Sequence, residues 1–400
     1  GKIATEGLVF AYDTGDTVNS YKGEPTENLL TNPLPTSPTG FNRTGGTGTV
    51  TYDETEKAIK WEQTAYSSWG TYFNFHPAFT GTLDTNAQYT FSLEYKSENE
   101  FADSNLSHQV VQGTGQSPAT INTGITSDTY GEVNGWKQYR VTFTPANSGV
   151  STAYNRFATG DRGTDILRMW FRNIQFEKKS HKAQFTAGTR SATQGLIDLT
   201  GNSTLDLTNV SFDSNAQMTF DGTDDKVTHD AVQFLSGSSY TLSQWQQLDA
   251  NANTAWQAFC GDDRFVVGGS VNSGGYYMWH TNGRFWWYQS FDTPTYYGVI
   301  SQTLSGGNIF DRMVGESPFS VDVTFEGSTN TMKIYINGEL EATATPTWAP
   351  GLDRITFDKI GGSNNRRFTG NIPTQKLYNR ALTADEVRNN HRHYKNRFNI

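Results

Sequence analysis

Apolar and polar residues alternate with a period of two along most of this chain. Tyr89-Thr90-Phe91-Ser92-Leu93-Glu94-Tyr95 shows it plainly, and Trp136–Thr144, Ile166–Phe176, Tyr240–Gln247 and Phe319–Glu326 repeat it. Such a period sends one set of side chains to a core and the other to water, which marks half-buried strands. Turn chemistry separates the runs. Asp13-Thr14-Gly15-Asp16 ends the opening apolar run Gly7–Tyr12. Asn337-Gly338 suits a two-residue hairpin, because both residues tolerate positive φ. Only the end of the chain reads as helix: Thr383-Ala384-Asp385-Glu386 is a capping box ahead of Val387 and Tyr394. The pattern predicts an all-β protein with a short C-terminal helix.

Composition sharpens this picture. The 400 residues give length for two to three domains. With 14% aromatic and 18% charged residues, the chain is too ring-rich to be disordered and lacks the repeats of a helix bundle. No apolar run approaches the roughly 20 residues of a membrane helix, so no membrane span is expected. A net charge of −9 argues against nucleic acid as a partner, and Lys178-Lys179 and Arg366-Arg367 read as solvated rims. The single cysteine, Cys260, leaves no intrachain disulfide and reads as a small buried hydrophobe. Gly1–Glu6 shows no secretory pattern, which sets the expectation of a product made in a cytoplasm without signal peptide.

Prolines 25, 33, 35 and 38 punctuate residues 24–38, and a second strand-rich stretch starts after Gly188-Thr189-Arg190-Ser191. The pieces Gly7–Asp13, Leu199-Thr200-Gly201-Asn202, Phe220–Asp225, Lys333–Gly338 and Leu377–Thr383 with Glu386 resemble the concanavalin A-like, laminin-G-type jelly rolls of bacteriophage structural proteins. In that family the first strand runs soon into the Leu-Thr-Gly-Asn segment, whereas here residues 24–190 intervene. Glu27-Asn28-Leu29-Leu30-Thr31-Asn32-Pro33, Trp136–Phe143, and Met169–Glu177 with Phe185 and Gly188-Thr189-Arg190 resemble a carbohydrate-binding jelly roll. The resemblances imply two jelly-roll β-sandwiches, the second inserted in the first. Residues 1–23 and 191–400 would form the laminin-G-like sandwich, and 24–190 the inserted carbohydrate-binding-module-like one.

Three chemistries are weighed on the residues. Sugar faces stack on aromatic rings, and the rings offered are Trp279, Trp286 and Tyr288 in Trp279–Tyr288, with Trp69, Tyr72, Phe73 and Phe75 in the intervening stretch. Alternation puts Trp286 and Tyr288 on one strand face and Phe285 and Trp287 on the other, so one pair is core. For any single ring, core is the commoner fate. Calcium is a candidate cofactor at the Gly-containing turn of Asp221, Asp224 and Asp225, which serves equally as plain turn chemistry. Asp262-Asp263 is a sparser version of the same idea.

Glycoside hydrolysis would need two carboxylates on one face. The Glu-x-Asp-x-x-Glu signature of related hydrolases is absent; the nearest approaches are Asp322 with Glu326, and Glu339 with Glu341, which read as solvent-side charges on half-exposed strands. His391 and His393 are spaced i, i+2 and point apart on a helix. No catalytic residues are expected. The long loops Gly268–Gly275 and Pro294–Phe310 read as binding loops or intersubunit arms. The resemblance implies a non-enzymatic virion protein of a tailed phage, as head decoration, fibre or tail-associated part. It would sit at the virion surface, with other virion proteins, further copies of itself and host-surface glycans as partners. The alternatives are a secreted bacterial lectin or adhesin and, behind it, a polysaccharide hydrolase.

Overall fold

The computed structural model describes residues 2–65, 71–75, 83–98, 106–112, 132–145, 153–159, 166–249, 257–261, 276–280, 284–292, 295–300, 318–346, 354–363 and 366–398. They form two compact units. One comprises Gly1–Pro25, Ser191–Asp213 and Gln217–Ile400, the other Thr26–Arg190 with Ser214–Ala216. Strands dominate both, and the long helix is Ala384–Lys395. No described helix is long and apolar enough to cross a membrane.

The first unit is built on an eight-stranded antiparallel sheet. Its order is Ser211–Phe212, Met218–Asp221, Thr369–Tyr378, Tyr240–Leu248, Phe319–Glu326, Thr331–Ile336 and Glu339–Ala344, with Leu8–Asp13 also paired to Thr369–Tyr378. Alternation does what the sequence predicts on Phe319–Glu326. Phe319, Val321, Val323 and Phe325 enter a core shared with Leu242, Ile334, Phe357 and Trp287. Each such side chain removed from water contributes about 1.5–3 kcal/mol before entropy is subtracted. A four-stranded sheet of Leu205–Asn209, Lys226–Leu235, Arg354–Ile360 and Cys260–Gly261 supplies Phe234, Ile355 and Phe357 to the same core. Cys260 is fully buried there. Asn337 and Gly338 take φ of 52° and 79°, the left-handed pair that a two-residue hairpin requires.

The helix Ala384–Lys395 begins where its capping box says. Thr383 Oγ1 accepts from Glu386 N, and the Glu386 carboxylate accepts from Thr383 N. Arg380 grips that carboxylate with two bonds of 2.9 and 2.6 Å, holding its pKa down to about 2. Val387, Asn390 and Tyr394 are the helix's buried residues. They lie over the outer face of the eight-stranded sheet, where Val387 packs with Tyr335, Tyr378 and Leu382.

The second unit has a five-stranded sheet ordered Thr47–Asp53, Ala58–Ala65, Leu167–Glu177, Tyr89–Ser97 and Lys137–Phe143. A four-stranded sheet consists of Phe41–Thr44, Thr71–Phe75, Ala153–Thr159 and Leu106–Gln112. Phe73 stacks on Phe171 at 4.7 Å and on Trp61 at 5.4 Å, so this core is largely aromatic. Thr26–Glu27 pairs antiparallel with Thr189–Arg190, which brings the unit's two chain ends together. Asn28 fastens them further: its amide donates to the carbonyls of Ile174 and Thr186, and its oxygen accepts from the backbone of Phe176.

Candidate functional site

The aromatic stretch of the first unit forms a hairpin of Tyr276–His280 and Arg284–Asp292. Its register places Trp286 opposite Met278, Tyr288 opposite Tyr276, and Trp279 opposite Phe285. Phe285 and Trp287 are the pair that enters the core; Trp287 donates from Nε1 to the Tyr240 hydroxyl at 2.9 Å and stacks on Phe357. Trp286 and Tyr288 occupy the alternate positions of that strand. The strand Thr295–Ile300 pairs next to it, so part of the stretch 294–310 is sheet where a loop was expected. Rings held at alternate positions of a pleated strand repeat every second residue, a spacing of about 7 Å.

Trp69, Asp262, Asp263 and the loop 268–275 lie outside the described residues. Tyr72 is in Thr71–Phe75, in register with Ala158 and Thr44. Its neighbours Phe73 and Phe75 are buried in the second unit's core.

A further ring, Trp170, is half-buried on the outer face of the five-stranded sheet. Its indole N–H donates to Asp53 Oδ2 at 2.8 Å, and this bond is the main cause holding the Asp53 carboxyl below its ordinary pKa. Lys60 and Lys96 stand 5.5 and 5.8 Å from the ring centroid. Arg168 bonds Glu62 and Glu98, and Arg172 bonds Glu94 while lying 3.9 Å from the Trp136 ring. The signal in the sequence is Arg168-Met169-Trp170-Phe171-Arg172, where a tryptophan shares the polar register of two arginines. Both ammonium groups approach the ring, so it is already engaged by cations.

The turn brings Asp221, Asp224 and Asp225 together, with carboxylate oxygens within 4.8 Å of one another. Asp221 and Asp224 are exposed and Asp225 is buried. Asp225 accepts from Asp221 N at 2.8 Å and from Ser211 Oγ at 3.1 Å. Burial is the largest influence on Asp225 and raises its pKa. These bonds account for the turn by themselves. A calcium ion would take about 6–8 oxygens, so three carboxylates would need carbonyls or water to complete a shell.

Asp322 is not solvent-side. It is 1% exposed, and all of Phe319–Glu326 except its last residue is buried, because the terminal helix covers this face. Neither carboxylate oxygen has a hydrogen-bond partner. Burial pushes the Asp322 carboxyl up to about 7, against the smaller lowering influences of Ser243 and then Lys376. Glu326 sits at the strand end, bonded by the Ser239 and Ser328 hydroxyls at 2.9 and 2.8 Å. Four residues of strand separate the two by about 13 Å, beyond the roughly 5–9.5 Å of hydrolytic carboxylate pairs. Glu339 is exposed and Glu341 half-buried on an edge strand. Lys376 is buried against the Tyr394 ring, 4.2 Å from its centroid, and burial pushes its pKa down to about 8. His391 stacks on Trp245 at 5.2 Å and meets Ser320 Oγ through Nδ1 at 3.0 Å, while His393 is exposed. The two imidazoles therefore do not converge.

Residues 221–388 match the family model of the concanavalin A-like lectin/glucanases superfamily, in its laminin-G-like form. The first unit thus has a concanavalin A-like, laminin-G-like fold. No curated protein sequence matches the chain. Among solved structures, the chain is similar to the receptor-binding domain of botulinum neurotoxin D, at 16% identity and a TM-score of 0.36, covering 51% of each chain. The same toxin's ligand-binding domain in complex with N-acetylneuraminic acid gives 16% identity and a TM-score of 0.35, covering 51% of this chain and 49% of that one. A Trypanosoma rangeli sialidase in complex with the inhibitor DANA gives 14% identity and a TM-score of 0.35, covering 50% and 31%. The chain spans about half the length of the toxin domains it matches.

Proposed function

We propose that this protein is a non-catalytic, surface-displayed structural protein of a tailed-phage virion that recognises host-surface glycans. A lectin/glucanase fold leaves binding and cleavage as the two broad chemistries. The observation that favours binding is the place of Asp322, buried beneath the terminal helix and about 13 Å along the strand from Glu326. A carboxylate there can neither reach a glycosidic oxygen nor share a water with its partner. Recognition falls to Trp279, Trp286 and Tyr288 on the hairpin, with Tyr72 in the second unit. Asp221, Asp224 and Asp225 are the residues that would hold a calcium ion. Further copies of the chain and other virion proteins complete the assembly.

The test is a glycan-array and host-cell binding screen of the full chain, run with calcium and with chelator. Saturable binding, weakened at least tenfold in Trp286→Ala with the fold intact, is the expected result. Release of reducing ends from a bound polysaccharide would overturn the non-catalytic assignment. Absence of binding to any glycan or cell would remove the recognition role. Loss of binding in chelator would place the three aspartates in it.

A further inference from the structure

An asparagine followed by glycine can modify itself, because no side chain on the glycine hinders its nitrogen from reaching the asparagine amide carbon. Among the described residues there are two such pairs, Asn134-Gly135 and Asn337-Gly338; a third, Asn282-Gly283, lies outside them. The two share one backbone conformation, with φ of 54° and 78° in the first and 52° and 79° in the second. Both are left-handed two-residue turns. Valine precedes the first and isoleucine the second, so neither turn type nor flanking sequence separates them. Their surroundings do.

Asn337-Gly338 is held. The Asn337 side-chain oxygen accepts from Ser320 N at 3.0 Å, and Asn337 N donates to the Ser320 carbonyl at 2.9 Å. Gly338 is buried beneath the terminal helix, where a Cβ would stand 3.2 Å from His391 Cβ and 3.3 Å from Arg388 Cα. Bringing Asn337 Cγ to Gly338 N would break the side-chain bond and lift the turn from the helix. Asn134-Gly135 is open. Both residues are exposed, and a Cβ on Gly135 would meet nothing within 4 Å. The Asn134 side chain has no hydrogen-bond partner among the described residues. Two backbone bonds between Val133 and Trp136, of 3.1 and 3.0 Å, close the turn.

We propose that Asn134 is a site of self-modification, its side-chain amide becoming a carboxylate through a cyclic imide, while Asn337 is spared by the fold. Hydroxide takes the proton from Gly135 N, which bonds to Asn134 Cγ. The side-chain nitrogen leaves as ammonia, with the proton restored from water. One water then opens the imide at either carbonyl, giving aspartate or isoaspartate. Base and water are the only reagents. The product gains a negative charge, and isoaspartate lengthens the backbone between Val133 and Trp136 by one carbon.

The full chain, kept folded in mildly alkaline buffer and sampled over weeks, tests this by peptide mapping with mass spectrometry. Enzymatic methylation of isoaspartate gives a second readout. Conversion at Asn134 should run at least about tenfold ahead of Asn337 in the folded chain, and the two should converge in denaturant, where local opening costs nothing. A folded chain that converts both at equal rates, or Asn337 first, overturns the proposal. So does a difference that persists in denaturant, or an Asn134 that stays intact while the denatured chain converts it.

Discussion

On the five-stranded sheet, Trp170 and the ion pairs of Arg168 and Arg172 around it stand half in water. On the eight-stranded sheet, Ser243, Asp322 and Lys376 stand beneath a helix. Both faces come from the same alternation of polar and apolar residues, yet their electrostatics run in opposite directions. Beside Arg168, the Glu62 carboxyl lies below its ordinary pKa, the guanidinium bond being the largest cause. Under the helix, desolvation outweighs the neighbouring ammonium, and the Asp322 carboxyl rises instead. Polarity of a strand face is written in the local sequence, but its dielectric is set by what covers it.

The comparison breaks most sharply at Lys376. Lys376→Ala removes the buried stem packed on the Tyr394 ring as well as the ammonium that eases Asp322, and should cost about 2–5 kcal/mol, chiefly as a cavity, read from denaturant unfolding. Asp322→Asn with Lys376→Met removes both charges together and should cost far less than that single change, within about 1 kcal/mol of wild type.

The pH dependence sharpens the same point. Asp322 rises from 3.8 to about 7 on folding, so its contribution is full below about pH 4 and lost as pH rises through about 7. Lys376 falls from 10.5 to about 8, so its contribution is full above about pH 10.5 and lost as pH falls through about 8. Together they predict a trough in this pair's contribution between about pH 7 and 8. Asp322→Asn should flatten its acid side in a stability-versus-pH series.

Smaller effects follow at the rim. Thr383→Ala removes the helix cap and should cost about 1 kcal/mol, with faster amide exchange in residues 384–388 as its local sign. On the open face, Glu62→Gln should cost under about 1 kcal/mol, and the loss should shrink in high salt. A salt-insensitive loss as large as that of Lys376→Ala would erase the contrast between the faces.

Local chemistry made much of this legible. The strand runs, the Asn337-Gly338 hairpin and the Thr383–Glu386 cap all depend on residues within a few positions of one another. Asp322 was misread because alternation assigns a side chain to a face without saying what lies on that face. The cover comes from Val387, His391 and Tyr394, some 65 residues later in the chain. Similarly, alternation separates Phe285 and Trp287 from Trp286 and Tyr288, but Tyr240 and Phe357 decide which pair turns inward. Trp170 escaped notice because its cations, Lys60 and Lys96, reach it from strands distant in sequence.

The pairing of Leu8–Asp13 with Thr369–Tyr378 has a consequence in time. The first strand of the chain hydrogen-bonds to a strand synthesised some 360 residues later. Ribosomes add about 5–20 residues each second, so that strand waits on the order of half a minute for its neighbour. Among the described residues, the sheets of 26–190 find their partners within that stretch and need no such delay. Until Thr369–Tyr378 is made, Phe10 and Tyr12 lack the neighbouring strand of their sheet, so the first unit's core closes only late in synthesis.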